Sequence, residues 1–142
     1  MREDVVVDTG AIVAILRAAD ARHEVCLEQL ALLQLPLFTT WLAITEAAWL
    51  LRGSLSDINQ VIALIESNSL ECVDFDADFA PWCRQMLAKY HDLKPQLADL
   101  SLVYIANQLE TNTIFTLDRR DFTVYRNSQE HPFDLLPAGF EA

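Results

Sequence analysis

The sequence predicts an α/β fold, a three-layer domain in which helices cover both faces of a mostly parallel sheet. Short β-branched and apolar runs alternate along the chain with segments whose apolar residues recur at helical spacing. That alternation is typical of a parallel sheet buried on both faces. The length of 142 residues suits one domain spanning residues 1–142, and 52% hydrophobic against 22% charged residues indicates a compact core.

In the first half of the chain, two predicted strands alternate with four predicted helices. Asp20 and Thr40 are suited to cap the second and third helices, because their side chains accept hydrogen bonds from the first backbone N–H groups of a helix. Pro36 ends the second helix and Gly53 the third. The predicted elements are a strand at 5–7, helices at 12–16 and 21–33, a strand at 37–39, and helices at 41–52 and 54–67.

The second half of the chain continues the alternation. Asp76 or Asp78 is expected to cap the fifth helix, and Pro95 marks a turn after it. Asp99 stands at the N-terminus of the sixth helix, where an apolar helical pattern begins. The predicted elements are a strand at 70–75, a helix at 79–90, the helix headed by Asp99, a strand at 113–117 and a short edge strand at 133–136.

Four carboxylates occupy comparable places in this plan. Asp8 and Asp118 follow buried strands, Asp99 heads a helix, and Glu46 breaks an apolar helix face. In open α/β folds, ligand sites form outside the carboxyl ends of the strands, so these side chains can converge at one edge of the sheet. Four converging acids repel one another, and Mg²⁺ or Mn²⁺ prefers such oxygen ligands. The sequence therefore predicts a divalent-metal site.

Glu46 is the carboxylate that packing explains least. Its neighbours at helical spacing are Leu42, Trp49 and Leu50, so it projects from an otherwise apolar face. An unpaired carboxylate buried there would cost several kcal/mol or take up a proton. No Lys or Arg lies on that face, and a metal ion would serve as the partner.

The formal net charge of −11 argues against simple nucleic-acid binding, because affinity for phosphate backbones usually comes from excess Lys and Arg. Arg119, Arg120 and Arg126 nevertheless follow Asp118 within eight positions. A local basic rim beside an acidic centre can bind RNA even when the whole molecule is acidic. These arginines are candidate RNA-binding residues, and pairing with surface acids is the alternative for them.

No apolar run reaches the length of a transmembrane helix, and the N-terminus lacks the features of a signal peptide, so a cytoplasmic protein without membrane contact is expected. Three cysteines and three histidines are scattered without ligand spacing, which excludes the common zinc patterns and a disulfide framework.

The acidic segment 74–78 offers a second place for chemistry. A calcium loop is excluded, because Phe79 replaces the required Gly and Gln85 the closing Glu. The segment also looks like the strand-end motif of haloacid-dehalogenase-type phosphatases, in which Asp74 would be the nucleophile. Ala77 departs from that motif and no later Lys and paired acids complete it, so helix capping is the favoured interpretation.

Four segments, taken in order, resemble the signature segments of PIN-domain ribonucleases. They are VVVDTGAIVAIL, TTWLAITEAAWLL, LADLSLVYIAN and TIFTLDRRDF, and they span nearly the whole chain. The length and the last two segments are most similar to VapC-type toxins of bacterial toxin–antitoxin pairs. The resemblance implies a Mg²⁺- or Mn²⁺-dependent endoribonuclease with about five parallel strands, usually dimeric and silenced by a small antitoxin protein.

The resemblance also implies roles for individual residues. The family's acidic quartet falls on Asp8, Glu46, Asp99 and Asp118, which would be both catalytic residues and metal ligands. Supporting positions fall on Thr9, Thr116 and Asp121. Leu100 departs from the small residue that relatives often have after the third acid. The RNA target stays open, and a binding or regulatory module that keeps the fold without catalysis is the alternative function.

Overall fold

The computed structural model describes residues 3–140, and its centre is a five-stranded sheet in which every strand pair is parallel. The spatial order is β3-β2-β1-β4-β5. Each strand has three residues, and their bounds are β1 Val5–Val7, β2 Leu37–Thr39, β3 Leu70–Cys72, β4 Thr113–Phe115 and β5 Asp134–Leu136. The predicted α/β class and parallel sheet are confirmed.

Seven α-helices flank the sheet within residues 3–140. Their bounds are α1 Thr9–Leu16, α2 His23–Ala31, α3 Trp41–Leu50, α4 Leu55–Glu66, α5 Phe79–Lys89, α6 Leu97–Gln108 and α7 Arg119–Phe122, with a short 3₁₀ helix at His91–Leu93. None of the helices in this part of the chain combines the length and the apolar character that crossing a membrane requires.

The hydrophobic core consists of two layers, one on each face of the sheet. Val5 and Val7 of β1 pack into one layer with α1, α2 and α4, whereas Val6 packs into the other with α6. This alternation follows from the period of two in a strand. All three valines are buried, so both faces of β1 are covered and the domain has the three layers that the sequence predicts.

The strand order defines where a site can form. The chain runs from β1 outward through β2 to β3, then returns to place β4 against the other side of β1. A crevice forms at such a reversal, outside the carboxyl ends of the two central strands. Asp8 follows β1, and Asp118 follows β4 after Thr116 and Leu117.

Five helices, α1 to α5, differ from their predicted bounds by one to three residues, and the starts of α1 and α2 are displaced by two residues or more. Helix α1 begins at Thr9 rather than residue 12, because Asp8 occupies the N-cap and its carboxylate accepts a hydrogen bond from the Thr9 backbone N–H. Helix α2 begins at His23 rather than residue 21. Asp20 does not cap it, since its carboxylate accepts a hydrogen bond from the backbone N–H of Arg22 and holds the preceding turn.

Three strands, β3, β4 and β5, are shorter than predicted, and one α-helix was not predicted. Strand β3 ends at Cys72 and β4 at Phe115, because the strands beside them turn into α3 and α1 at those levels. The missed helix is α7, which has only four residues. Helix α6 begins at Leu97, so Asp99 lies in its first turn and not at its N-cap.

Candidate metal centre

A cleft of about 320 Å³ opens at the carboxyl ends of β1 and β4. Five carboxylates line it together with two polar side chains, one arginine and the ends of neighbouring elements. The lining residues are Asp8, Thr9, Gly10, Arg22, Glu46, Leu50, Gln96, Asp99, Leu117, Asp118 and Asp121. The structure thus brings all four acids of the predicted quartet to one site, with Asp121 as a fifth, while their roles as ligands and catalysts stay predictions.

Asp8 is fixed on both carboxylate oxygens. Its Oδ1 accepts a 2.7 Å hydrogen bond from the Thr9 backbone N–H, and its Oδ2 accepts a 2.8 Å hydrogen bond from the Thr116 hydroxyl. The side chain is only 6% exposed. Two hydrogen bonds on a buried carboxylate leave it one orientation, which is the preorganisation that a ligand or catalytic group needs.

Thr116 also connects Asp8 to Asp118. While its hydroxyl donates to Asp8, its Oγ1 accepts a 3.0 Å hydrogen bond from the backbone N–H of Asp118. Asp118 is the N-cap of α7, and its Oδ1 accepts a 3.3 Å hydrogen bond from the Asp121 backbone N–H. One threonine therefore positions the carboxylates that follow two adjacent strands.

The tightest group of potential metal ligands consists of Asp99, Asp118 and Asp121. One carboxylate oxygen from each lies within 4.8 Å of the other two. The buried Oδ1 of Asp121 accepts no hydrogen bond from the described residues, and Nε of Arg120 is 3.7 Å away from it. An acceptor left open beside two other carboxylates suits a cation, because buried polar atoms otherwise find partners.

Burial and mutual repulsion disfavour ionisation in the cleft. The pKa of Asp99 is raised to about 8, chiefly by burial and in addition by the charges of Asp8, Asp118, Glu46 and Asp121. Burial also raises the pKa of Asp8 to about 6, in spite of its hydrogen bonds to Thr116 and Thr9, which act in the opposite direction. The pKa of Asp121 is raised by burial and by Asp118.

The environment of Glu46 differs from the prediction. The buried face of α3 consists of Ala43, Ile44 and Ala47, whereas Trp49 and Leu50 are 62% and 45% exposed. Glu46 is half-buried at the margin of that face and lines the cleft, with the Thr9 hydroxyl 3.5 Å from its Oε2. The deeply buried acids of the cleft are Asp8 and Asp99. Glu46 is less buried than predicted, because the buried face of α3 is a different one from the face that the sequence suggested.

The three arginines predicted as a basic rim have separate surroundings. Arg119 donates a hydrogen bond to the backbone carbonyl of Pro137, and Arg126 donates to three backbone carbonyls of residues 123–125. Arg120 is 87% exposed and forms the ion pair with Asp121. None of the three is among the residues that line the cleft. Their RNA-binding role stays a prediction, with Arg120 in direct contact with a cleft residue.

Arg22 and Gln96 line the cleft and were missed in the sequence. Each lies just before a helix, in a connection whose place is set by tertiary packing. No sequence pattern predicts that residues in such connections reach the site. The only indication in the sequence was the positive charge of Arg22 near the predicted start of the second helix.

The acidic segment 74–78 lies apart from the cleft lining. Oδ1 of Asp76 accepts hydrogen bonds from the Asp78 backbone N–H and from the hydroxyl of Tyr104. This cluster holds the turn into α5, which agrees with a structural role and gives no support to a phosphatase site. Neither aspartate caps α5 with its side chain in the expected way.

Comparison with known proteins gives three findings. Residues 5–127 match the family model of the PIN domain. The chain is 25% identical over 134 residues to Ribonuclease VapC26 of Mycobacterium tuberculosis, covering 93% of this chain and 99% of that protein. Its fold is similar, with a TM-score of 0.70 and 18% identity, to the crystal structure of Mycobacterium tuberculosis VapC20, described as a sarcin-ricin loop cleaving toxin. That similarity covers 78% of this chain and 87% of VapC20.

Proposed function

The chain belongs to the PIN domain family, and from this premise we propose that it is a divalent-metal-dependent endoribonuclease, the toxin of a type II toxin–antitoxin pair. The observation that carries the proposal is the convergence of five carboxylates in one cleft at the reversal of strand order. The relative named as a ribonuclease aligns along nearly its whole length, which supports hydrolysis of RNA phosphodiester bonds.

The residues of the cleft fit a Mg²⁺ or Mn²⁺ ion. Asp99, Asp118 and Asp121 offer closely spaced oxygens, and the fixed carboxylate of Asp8 faces the same cleft. When bound, a divalent cation supplies positive charge that activates a water molecule and stabilises the leaving oxygen of a phosphodiester. We assign the ligand role to Asp8, Asp99 and Asp118, with Glu46 and Asp121 completing the acidic surroundings.

The protein itself supplies orientation and polarity. Thr116 and the start of α1 hold Asp8 in one rotamer, and the same threonine holds the backbone of Asp118. Helices α1 and α6 begin at the cleft, and a helix N-terminus carries partial positive charge. These ends favour the anionic carboxylates and an approaching phosphate, while Leu50 and Leu117 cover part of the cleft with apolar surface.

The partners follow from the same proposal. The substrate is RNA, the inhibitor is a small antitoxin protein, and the active form is a homodimer. The VapC-type relatives support the first two of these assignments. A cytoplasmic location, as expected from the sequence, completes the proposal.

Cleavage of RNA by the purified protein tests the function. We expect cleavage with Mg²⁺ or Mn²⁺, none in excess EDTA, and a loss of more than about 100-fold in Asp8→Asn and Asp99→Asn. That loss exceeds what removal of a residue that only orients a metal ligand costs. Asp74→Asn, which changes an exposed aspartate outside the cleft, should cleave normally.

Two results would contradict the proposal in different ways. Undiminished cleavage in excess EDTA would show that the activity does not depend on a divalent metal. A folded protein that cleaves none of a broad set of RNAs, with either metal, would favour the non-catalytic module instead. Circular dichroism of each variant shows that a loss of cleavage comes from the site and not from unfolding.

A further inference from the structure

A cationic and aromatic surface adjoins the acidic cleft at the C-terminal end of α3. Leu50, the last residue of α3, lines the cleft, and the side chains around it come from the ends of three helices. Arg17 follows α1, Arg22 precedes α2, and Arg52 follows α3. Residues far apart in sequence thus place positive charge on one side of an acidic site.

Arg22 is the only basic side chain lining the cleft within residues 3–140. Its Nε lies 3.3 Å from Oδ1 of Asp20, and the same carboxylate accepts a hydrogen bond from its backbone N–H. Its two terminal nitrogens have no hydrogen-bond partner among the described residues, and the side chain is 46% exposed. Asp20 therefore orients the guanidinium and leaves free the pair of donors that suits a phosphate.

Arg52 lies over the indole of Trp49, with its guanidinium carbon 3.9 Å from the ring centroid. Its Nη1 also donates a 2.9 Å hydrogen bond to the backbone carbonyl of Trp49. The indole is held by this contact and remains 62% exposed. A fixed, exposed aromatic ring beside an arginine is suited to stack an unpaired base and contact its phosphate.

Arg17 holds this end of α3 in place. Its Nη2 donates a 2.8 Å hydrogen bond to the backbone carbonyl of Leu50, across 33 residues of sequence. Cations near the C-terminus of a helix are stabilised by its partial negative charge. Arg17 thereby connects the end of α1 to Leu50, which lines the cleft and directly follows Trp49 in α3.

We propose that Arg22, Arg52 and Trp49 form an RNA-binding surface that guides an unpaired RNA strand into the acidic cleft, with Arg17 as a positioning residue. The inference rests on the proposed ribonuclease function and assigns its substrate-binding residues. Because the whole chain carries a charge of −11, attraction for RNA must be local, and Arg22 of this surface lies in the lining of the cleft itself.

Binding of a fluorescently labelled single-stranded RNA, measured by anisotropy at several salt concentrations, tests the arginines. All variants are made in a protein that also carries Asp118→Asn, so that the RNA is not cleaved during the measurement. We expect Arg22→Ala and Arg52→Ala each to weaken binding about fivefold and to lower the slope of log K against log salt by about 0.7, the contribution of one phosphate contact in single strands. The matched control is Arg84→Ala, which removes an exposed arginine from α5 and should change neither quantity.

The tryptophan has a matched control on its own helix. Trp49→Ala should weaken binding about tenfold with a nearly unchanged salt slope, because stacking involves no counterion release, and Trp49→Phe should retain part of the affinity. Trp41 is 50% exposed two helical turns earlier, and Trp41→Ala should bind RNA as the parent does.

Three outcomes would overturn the inference. If Arg22→Ala and Arg52→Ala keep the affinity and salt slope of a parent that binds RNA, this surface is not the binding surface, although the ribonuclease function stands. If Trp49→Ala keeps RNA affinity but changes the molecular mass in light scattering, the surface is a protein interface. If the intact protein neither binds nor cleaves RNA, the proposed function fails and the inference fails with it.

Discussion

At the scale of single residues, the free-energy cost of ionising a buried carboxylate falls mainly on Asp99 and Asp8. Asp99 and Asp8 are 8% and 6% exposed, and the pKa of each is raised, to about 8 and about 6. Both ionise in the folded protein only against burial and the charge of neighbouring acids. A cation in the cleft would remove this penalty, so the features that weaken the metal-free protein are those that attract a metal.

The stability of the metal-free protein should fall as pH rises. Between the ordinary pKa of 3.8 and the folded values of about 6 and 8, the folded state holds more protons than the unfolded state. The stabilisation is therefore complete below the unfolded pKa and is lost as pH rises through the folded pKa. Urea unfolding in EDTA should show Asp99 contributing a loss of about 4 kcal/mol between pH 5 and pH 9, since this range covers about three pKa units below the folded pKa and each unit corresponds to about 1.4 kcal/mol.

Asp99→Asn isolates this contribution, because an amide does not ionise. The variant should lose about 4 kcal/mol less than the wild type over the same pH range, whereas Asp74→Asn, at an exposed position, should follow the wild type. Identical pH profiles for the wild type and Asp99→Asn would show that Asp99 ionises without a penalty.

At the scale of elements, a buried hydrogen bond joins the start of α3 to α6, the two helices that carry Glu46 and Asp99. Thr40 is fully buried, and its hydroxyl oxygen accepts a 3.2 Å hydrogen bond from the Ala43 backbone N–H as the N-cap of α3. The same oxygen lies 2.8 Å from the hydroxyl of Ser101 in α6. One hydroxyl thus fixes the helix that carries Glu46 against the helix that carries Asp99.

Thr40→Ala should destabilise the protein by about 2–3 kcal/mol, because it removes a helix cap and an interhelical hydrogen bond together. Ser54→Ala is the matched control. It removes only the cap of α4, where the Ser54 side chain accepts from the Asp57 backbone N–H, and should cost about 1 kcal/mol. Equal losses in urea unfolding would mean that the link to Ser101 contributes nothing.

Sequence reasoning succeeded where one periodic element determines a residue's place. Asp8 and Asp118 follow strands whose β-branched or apolar runs mark their ends, and parallel strands bring such ends to one edge. The cap of α3 at Thr40 follows from the same local rule.

Sequence reasoning failed where tertiary packing decides. Helix α7 is too short for a periodic pattern, and the strands end where their neighbours turn into helices. Glu46 was expected in an apolar environment, but contacts with other elements select a different buried face for α3. Arg22 reaches the cleft through a connection whose path no local pattern specifies.

At the scale of the whole molecule, charge is distributed unequally around one site. The chain has a net charge of −11, and five carboxylates share a cleft with one arginine. Such a cleft repels RNA until cations occupy it. Metal binding and RNA binding should therefore be linked, with the metal ion neutralising the cleft that the phosphate must enter.

The location of a bound metal tests this account most directly. Crystals soaked in Mn²⁺ should show an anomalous peak in the cleft, contacted by the carboxylates of Asp8, Asp99 and Asp118 at about 2 Å. Crystals of Asp99→Asn treated in the same way should show a weakened peak or none. A cleft without a peak, or Mn²⁺ bound only at exposed acids such as those of segment 74–78, would contradict the account.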